Sequence, residues 1–243
     1  TDLNWVADQL VCLSLVTDPF GRYNQQDLLN TFIDVARPYK QHFVIDLQQR
    51  PEKFVAAHHQ RNAHKALKMI AVEVCTEPIK YLDNWSALYN DLIKRHNITG
   101  ITKFSADAFA KQLSTPGIVT FQAKLGDTTV GMLLWYVQGD VAYYHLGAYS
   151  PEGYKLNASF ALFWTLLGYF ANEGLQWLSL GAGAGTQEDT NDGLTRFKRG
   201  WSTGTQTAFL CGRIFDRKKY QEIVEARGIS TTNFFPAYRH GEF

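Results

Sequence analysis

Three glycines in five residues, Gly181, Gly183 and Gly185, come directly after an apolar strand-like run in the segment LSLGAGAGTQEDTNDGLTRFKRGW, 178–201. Such a run could cradle a phosphate. A Walker loop, however, needs a lysine directly after its last glycine, and Gly185 is followed by Thr186. A dinucleotide fingerprint needs glycine at the sixth position of GxGxxG, which is again Thr186. Glu188, Asp189 and Asp192 would repel a phosphate. The expected role is close approach of a strand end to another backbone or to a ligand, or simply a turn beside a buried strand.

Two other groups carry chemistry. In VAYYHLGAY, strand alternation puts Tyr143, His145 and Gly147 on one face and Tyr144 and Leu146 on the other. A histidine there could take a proton from an attacking amine, because its pKa lies near working pH. A half-buried structural histidine fits the same position and is the stronger reading. In HHQRNAHKA, His58, His59, Arg61, His64 and Lys65 fall within eight residues. His59 and His64 are five apart, which puts them on different helix faces, and no second ligand cluster is visible, so no metal site is expected. No cysteine or serine lies in a nucleophile motif. Trp135, Tyr136, Trp164 and Trp177 read as core rather than as a substrate platform.

The elements that must position these residues read most clearly after Asn84. A helix over NWSALYNDLIKRHNITG and a second over SADAFAKQL, with Ser105 as N-cap, lead into three strands. The strands GIVTFQAKL, TTVGMLLWYV and VAYYHLGAY are joined by Gly126-Asp127 and Gly139-Asp140, both hairpin turn signals. LNASFALFWTLLGYFANEG is apolar almost all round, hence a buried helix, starting near Asn157 and stopped by Gly174. A short strand QWLSL, a helix from Asp192 to Lys198, a strand from Thr205 to Ile214 and a helix from Asp216 to Arg227 complete the chain. Upstream, QLVCLSLV and HFVIDL read as strands around a helix QDLLNTFIDVARPY, and KFVAAHHQRNAHKALKMIAVEV as a long basic helix entering a strand. The result is an α+β chain in which a helix crosses to a parallel strand.

Composition agrees. The 243 residues are 45% hydrophobic, enough for a sizeable core, and the net charge of +1 gives no field for nucleic acid or an anionic membrane. Cys12, Cys75 and Cys211 are few and scattered, which suits a reducing cytoplasm, and no apolar run is long enough to span a bilayer. The start at Thr1-Asp2 is consistent with a piece of a longer gene product.

The order of elements from Asn84 to Ile214 resembles the GNAT acyltransferase fold, and the motifs resemble its Fem-type branch. HQRNAHKALKMIAVEV, TTVGMLLWYVQGDVAYYHLGAYSPEGY, NASFALFWTLLGYFANEGLQWLSLGAG and GLTRFKRGW carry the likeness. The last supplies the branch's glycine, Phe-Lys and glycine signature as Gly193, Phe197, Lys198 and Gly200. The resemblance implies two GNAT-like lobes, a shortened one over 1–80 and a complete one over 81–243. It implies an N-acyltransferase that moves an acyl or aminoacyl group onto a small-molecule amine, with acyl-CoA, a carrier protein or aminoacyl-tRNA as donor and co-substrate, and no tightly bound cofactor. Lys198 would stabilise charge on the donor or the reacting carbonyl. Arg61 would contact an anionic substrate at the opposite rim. Tyr144, Phe197, Gly181 and Gly183 would complete the site. The glycine-rich CoA loop is replaced by SPEGYKLNAS, with one glycine, Gly153, and the acidic Glu152.

Two alternatives stand beside that reading: a GNAT fold kept as an inactive binding module for a small ligand or partner protein, and tRNA docking on HHQRNAHK and RFKR. The oligomeric state is not legible. The expected site is a cleft where two strands splay, bordered by residues 144–147 and 178–183, with Lys198 reaching into it. Splayed strands expose backbone amides that need another partner.

Overall fold

Pairing of hydrophobic strands and amphipathic helices accounts for nearly every element in a computed structural model that describes residues 2–183 and 192–242. Gly185, Thr186, Glu188 and Asp189 lie outside the described residues. In chain order the elements are β1 Cys12–Val16, α1 Gln25–Thr31, β2 Val35–Asp46, α2 Pro51–Phe54, α3 Ala57–Ala66 and β3 Ala71–Cys75. They continue with α4 Leu82–His96, α5 Ala106–Leu113, β4 Ile118–Leu125, β5 Thr128–Gln138 and β6 Val141–Tyr149. The last are α6 Pro151–Lys155, α7 Ala158–Asn172, β7 Trp177–Gly181, α8 Gly193–Trp201, β8 Gly204–Ile214 and α9 Arg217–Ala226. The mixed α/β architecture matches the expected fold class.

Contacts divide the chain into two units, one of residues 1–42 with 206–243 and one of residues 43–205. The expected boundary at residue 80 is therefore not where the contacts part. Residues 43–46 of β2 pair with β7, and β3 pairs antiparallel with β4 from Ala71↔Lys124 to Cys75↔Thr120, so residues 43–80 pack with the segment 81–205.

In the larger unit the end of β2 is followed in the sheet by β7, β6, β5, β4 and β3. The meander β4–β5–β6 is antiparallel, with Gly126 (φ 58) and Gly139 (φ 61) making the turns as expected. Helix α7 connects β6 to its parallel neighbour β7. One face of the sheet carries α3 and α7, whose Ala63, Ala66, Leu162, Phe163, Leu166 and Phe170 pack on Phe121, Leu133 and Trp135. The other carries α4 and α5, whose Trp85, Leu88, Phe109 and Leu113 pack on Met132, Leu134 and Ala148. Helix α7 is apolar all round because β strands lie under it and α3 beside it. Helix α4 ends at Asn97 in the left-handed conformation, φ 51, and Ser105 caps α5 through the Ala108 amide.

In the smaller unit β8 lies between β1 and the first part of β2, and Leu28, Phe32 and Cys211 centre a core with Leu13, Leu15 and Phe209. The helix expected over QDLLNTFIDVARPY stops at Thr31. Asp34 accepts the Ile214 amide at 2.7 Å and Arg217 at 2.8 Å, and Val35 begins a strand of twelve residues. Pro38, inside that strand, bars a helix from running through Arg37, as the longer reading required. The long basic helix is likewise broken, at Val55, where φ −67 and ψ 129 separate α2 from α3. Among the described residues no helix is long and apolar enough to cross a membrane.

Candidate active site

The parallel ladder between β6 and β7 holds only Val141↔Trp177, Ala142↔Leu178 and Tyr143↔Ser179, and then the strands part. Two irregularities drive them apart. Opposite Leu134 and Trp135 the β5–β6 register slips, pairing Leu134↔Leu146 but Trp135↔Tyr144, so that His145 is an extra residue, a β-bulge. On the far side β7 lies beside β2, where the register slips again between Phe43 and Val44. The chain then turns at Gly181, φ 71, a conformation only glycine adopts at no cost.

The bulge corrects the expected alternation. Tyr144 packs in the α7-side core with Trp135 and Phe163, and Gly147 shares that side, where a Cβ would collide with the Tyr144 hydroxyl and Leu133. Leu146 and Ala148 join the α4–α5 core instead. His145 sits with them, its Nε2 3.0 Å from Gln112 Oε1 and its ring against Tyr136, 5.1 Å between centroids. Burial lowers its pKa. Period-two reading fails here because one inserted residue moves every later side chain to the other face.

Lys198 lies on the inner face of α8, 7% exposed. Its Nζ donates to the Ala182 carbonyl at 2.6 Å and stands 5.8 Å from the centroid of the Tyr144 ring. A buried ammonium in such a place is supported by a carbonyl dipole and an aromatic face. Asp192 caps α8, accepting the Leu194 amide at 2.7 Å, the Thr195 amide at 2.9 Å and the Thr195 hydroxyl. Those bonds, from Thr195 first and with a contribution from Lys198, hold its carboxyl below the usual range. Gly183 lies against Thr195 Oγ1, where a side chain would collide, so at this glycine a close approach to the α8 side chain is what the small residue permits. Burial, with the neighbouring Tyr154, keeps the Tyr144 phenol well above its ordinary pKa, against the effect of its hydrogen bond with Tyr149. Tyr144 is therefore a neutral hydroxyl at working pH and not a base.

Phe197 packs against His59, Phe160 and Phe163 at centroid distances of 5.4, 5.3 and 5.0 Å. The structure thus brings Lys198, Tyr144, Gly181 and Gly183 together, with Phe197 directly behind. It does not bring Arg61 or His145 to them. Arg61 is exposed on α3, two residues from the buried His59 and so on the opposite side of that helix. Among the described residues no group of three metal-ligating side chains occurs.

Sequence reading missed His59. It is 2% exposed, caged by Phe160, Phe197 and Trp201, and its ring lies directly on Gly200, the last glycine of the signature. Its spacing to Ala63 and Ala66, with Gly200 as an unexplained small residue, was the available signal. Substituting Gly200→Ala would drive a methyl into the ring. Overpacking costs about 1–3 kcal/mol, partly offset by alanine's helix preference, so we expect a melting temperature lower by about 2–6 °C. The same calorimetric scan on Gly193→Ala, where no atom crowds the position, should show no such loss.

Burial, then the charge of His58, lowers the His59 pKa to about 4, weakly opposed by the Gly200 backbone. The folded state therefore binds fewer protons than the unfolded one between pH 6.5 and about 4. Stability present above pH 6.5 is lost as pH falls through that window, by about 3 kcal/mol in total. Urea unfolding at stepped pH should show this slope, and His59→Phe, which keeps the ring packing, should flatten it.

A family model described as an acetyltransferase (GNAT) domain matches residues 59–199. The chain belongs to the GNAT acetyltransferase family. Its fold is of the Fem type: it superposes on FemX with a TM-score of 0.64 at 13% identity, covering 92% of this chain and 71% of FemX. The C-terminal domain of an Agrobacterium fabrum protein assigned as a lysylphosphatidylglycerol synthetase gives 0.59 at 14% identity, over 73% of this chain and 61% of that one. L-PGS from Bacillus licheniformis gives 0.54 at 15% identity, over 75% and 63%. The chain thus spans under two thirds of two of these three neighbours. No curated protein matches the sequence.

Proposed function

We propose that the chain transfers an acyl or aminoacyl group from a thioester or aminoacyl-tRNA donor onto an amine by direct attack, without a covalent enzyme intermediate. The observation that carries the proposal is the parting of β6 from β7 beside a buried ammonium. Strand edges that no longer pair present amides to whatever lies between them, and a donor carbonyl is the partner of matching polarity. Lys198 would face the oxygen as it becomes negative. The amine nitrogen forms the new bond to the carbonyl carbon; the tetrahedral oxyanion collapses and expels the thiolate or ribose oxygen. The proton lost by the amine ends on that leaving group or in solvent. Tyr144, neutral and below Lys198, holds the ammonium in place and closes the floor of the cleft.

The glycine-rich loop of CoA-using relatives is occupied here by helix α6, capped by Ser150 through the Gly153 amide at 3.1 Å. This favours a donor held by something other than a pyrophosphate loop, although acyl-CoA remains in the donor class. The test is amide formation, read by mass spectrometry, across acetyl-CoA, a long-chain acyl-CoA and an aminoacyl-tRNA with a panel of amino acids, amino sugars and polyamines. Turnover with one donor class supports the proposal. If no donor yields amide and a non-acyl ligand raises the melting temperature, the fold serves as a binding module.

A further inference from the structure

Helix α8 has a second working face. Lys198, Thr195 and Trp201 turn inward, whereas Gly193, Arg196, Phe197 and Gly200, at helical spacing, line a separate cleft of about 650 Å³. The opposite wall is the start of α3, with Ala56, His58 and His59, and Phe160 closes the floor. The two basic segments of the sequence, HHQRNAHK and RFKR, meet here. We propose that this cleft binds the phosphate group of a small phosphorylated molecule.

Three observations converge. Arg196 and Arg199 are both exposed at the cleft, and guanidinium forks match a tetrahedral oxyanion. Helix α3 opens at Ala56 with no side-chain cap, and Ala56 lines the cleft, so the positive dipole end of the helix borders it. His59, 2% exposed, forms part of the wall with its ring lying on Gly200. Finally, among the described lining residues none is acidic, while Phe160 and Phe197 offer an apolar wall to the rest of a ligand. The volume suits a small molecule rather than a duplex, and the net charge of +1 leaves no broad basic surface to hold RNA. This site is independent of the acyl-transfer proposal, and either can fail alone.

Isothermal titration of the full chain with inorganic phosphate, phenyl phosphate and benzoate, at physiological ionic strength, tests it. Phenyl phosphate should bind more tightly than inorganic phosphate, and both more tightly than benzoate. The Arg196→Ala/Arg199→Ala double variant, altered only at exposed positions, should lose about tenfold or more in affinity. The imidazole proton resonances of His58, which lines the cleft, should move on addition of phosphate. Equal affinities in the wild type and the double variant would overturn the proposal. So would binding confined to a short RNA, which would make this face a nucleic-acid surface.

Discussion

Replacing Lys198 with methionine is expected to lower kcat for acyl transfer by about 10²–10³-fold, the loss found when one donor to a developing oxyanion is removed. Methionine keeps the apolar stem and its packing beside Tyr144, so the comparison isolates the ammonium. The KM of the amine should change far less, because the interaction strengthens only as the carbonyl oxygen gains charge. The structure adds a second effect, since the lysine is 7% exposed and satisfies the Ala182 carbonyl. Leaving that carbonyl without its donor costs about 1–3 kcal/mol, a fall in melting temperature of about 2–12 °C. Both readouts come from one purified variant: steady-state kinetics and a thermal scan. A variant with normal kcat would remove Lys198 from the chemistry.

Gly153→Ala is expected to be the most damaging glycine-to-alanine change among the described residues. A Cβ there would overlap the Val130 carbonyl oxygen and approach Tyr149 Cβ to 3.5 Å. Backbone cannot rotate away as a side chain can. That carbonyl also accepts the Ser150 amide at 3.0 Å, so α6 would have to lift from β5 and break the bond that seats it. The cost lies at or above the upper end of overpacking, about 3 kcal/mol, and the melting temperature should drop by about 6–12 °C. Gly168→Ala is the matched control. It lies within α7 with no atom crowding its Cβ direction, and exchanging glycine for alanine inside a helix stabilises by about 0.5–1 kcal/mol. The two substitutions add the same atom and should move stability in opposite directions.

Local features were legible in the sequence. The β4–β5–β6 meander announced itself through period-two patterning and two Gly-Asp turns, α5 through its Ser105 cap, and α7 through its lack of a polar face. The Phe197-Lys198 pair was legible as a motif. Non-local facts were hidden. Nothing in HFVIDL says that it will lie beside QWLSL, and that pairing is what draws residues 43–46 into the larger unit. The His145 bulge was invisible because alternation assumes one residue per pleat, and its effect is to put Leu146 on the face of His145 and Gly147 on the face of Tyr144. His59 was grouped with its histidine neighbours by proximity in sequence, although the fold buries it alone against Gly200. Arg61 was placed by resemblance, and the helix turns it outward.

In the proposed mechanism the gap between β6 and β7 receives the donor carbonyl under Lys198. A crystal structure with a non-reactive thioether or amide analogue of whichever donor supports turnover tests this most directly. The analogue's carbonyl should lie between residues 144–147 and 180–183, its oxygen facing the Lys198 ammonium and strand amides. An analogue bound elsewhere, with β6 and β7 paired through those residues and Lys198 turned from the carbonyl, would contradict the mechanism.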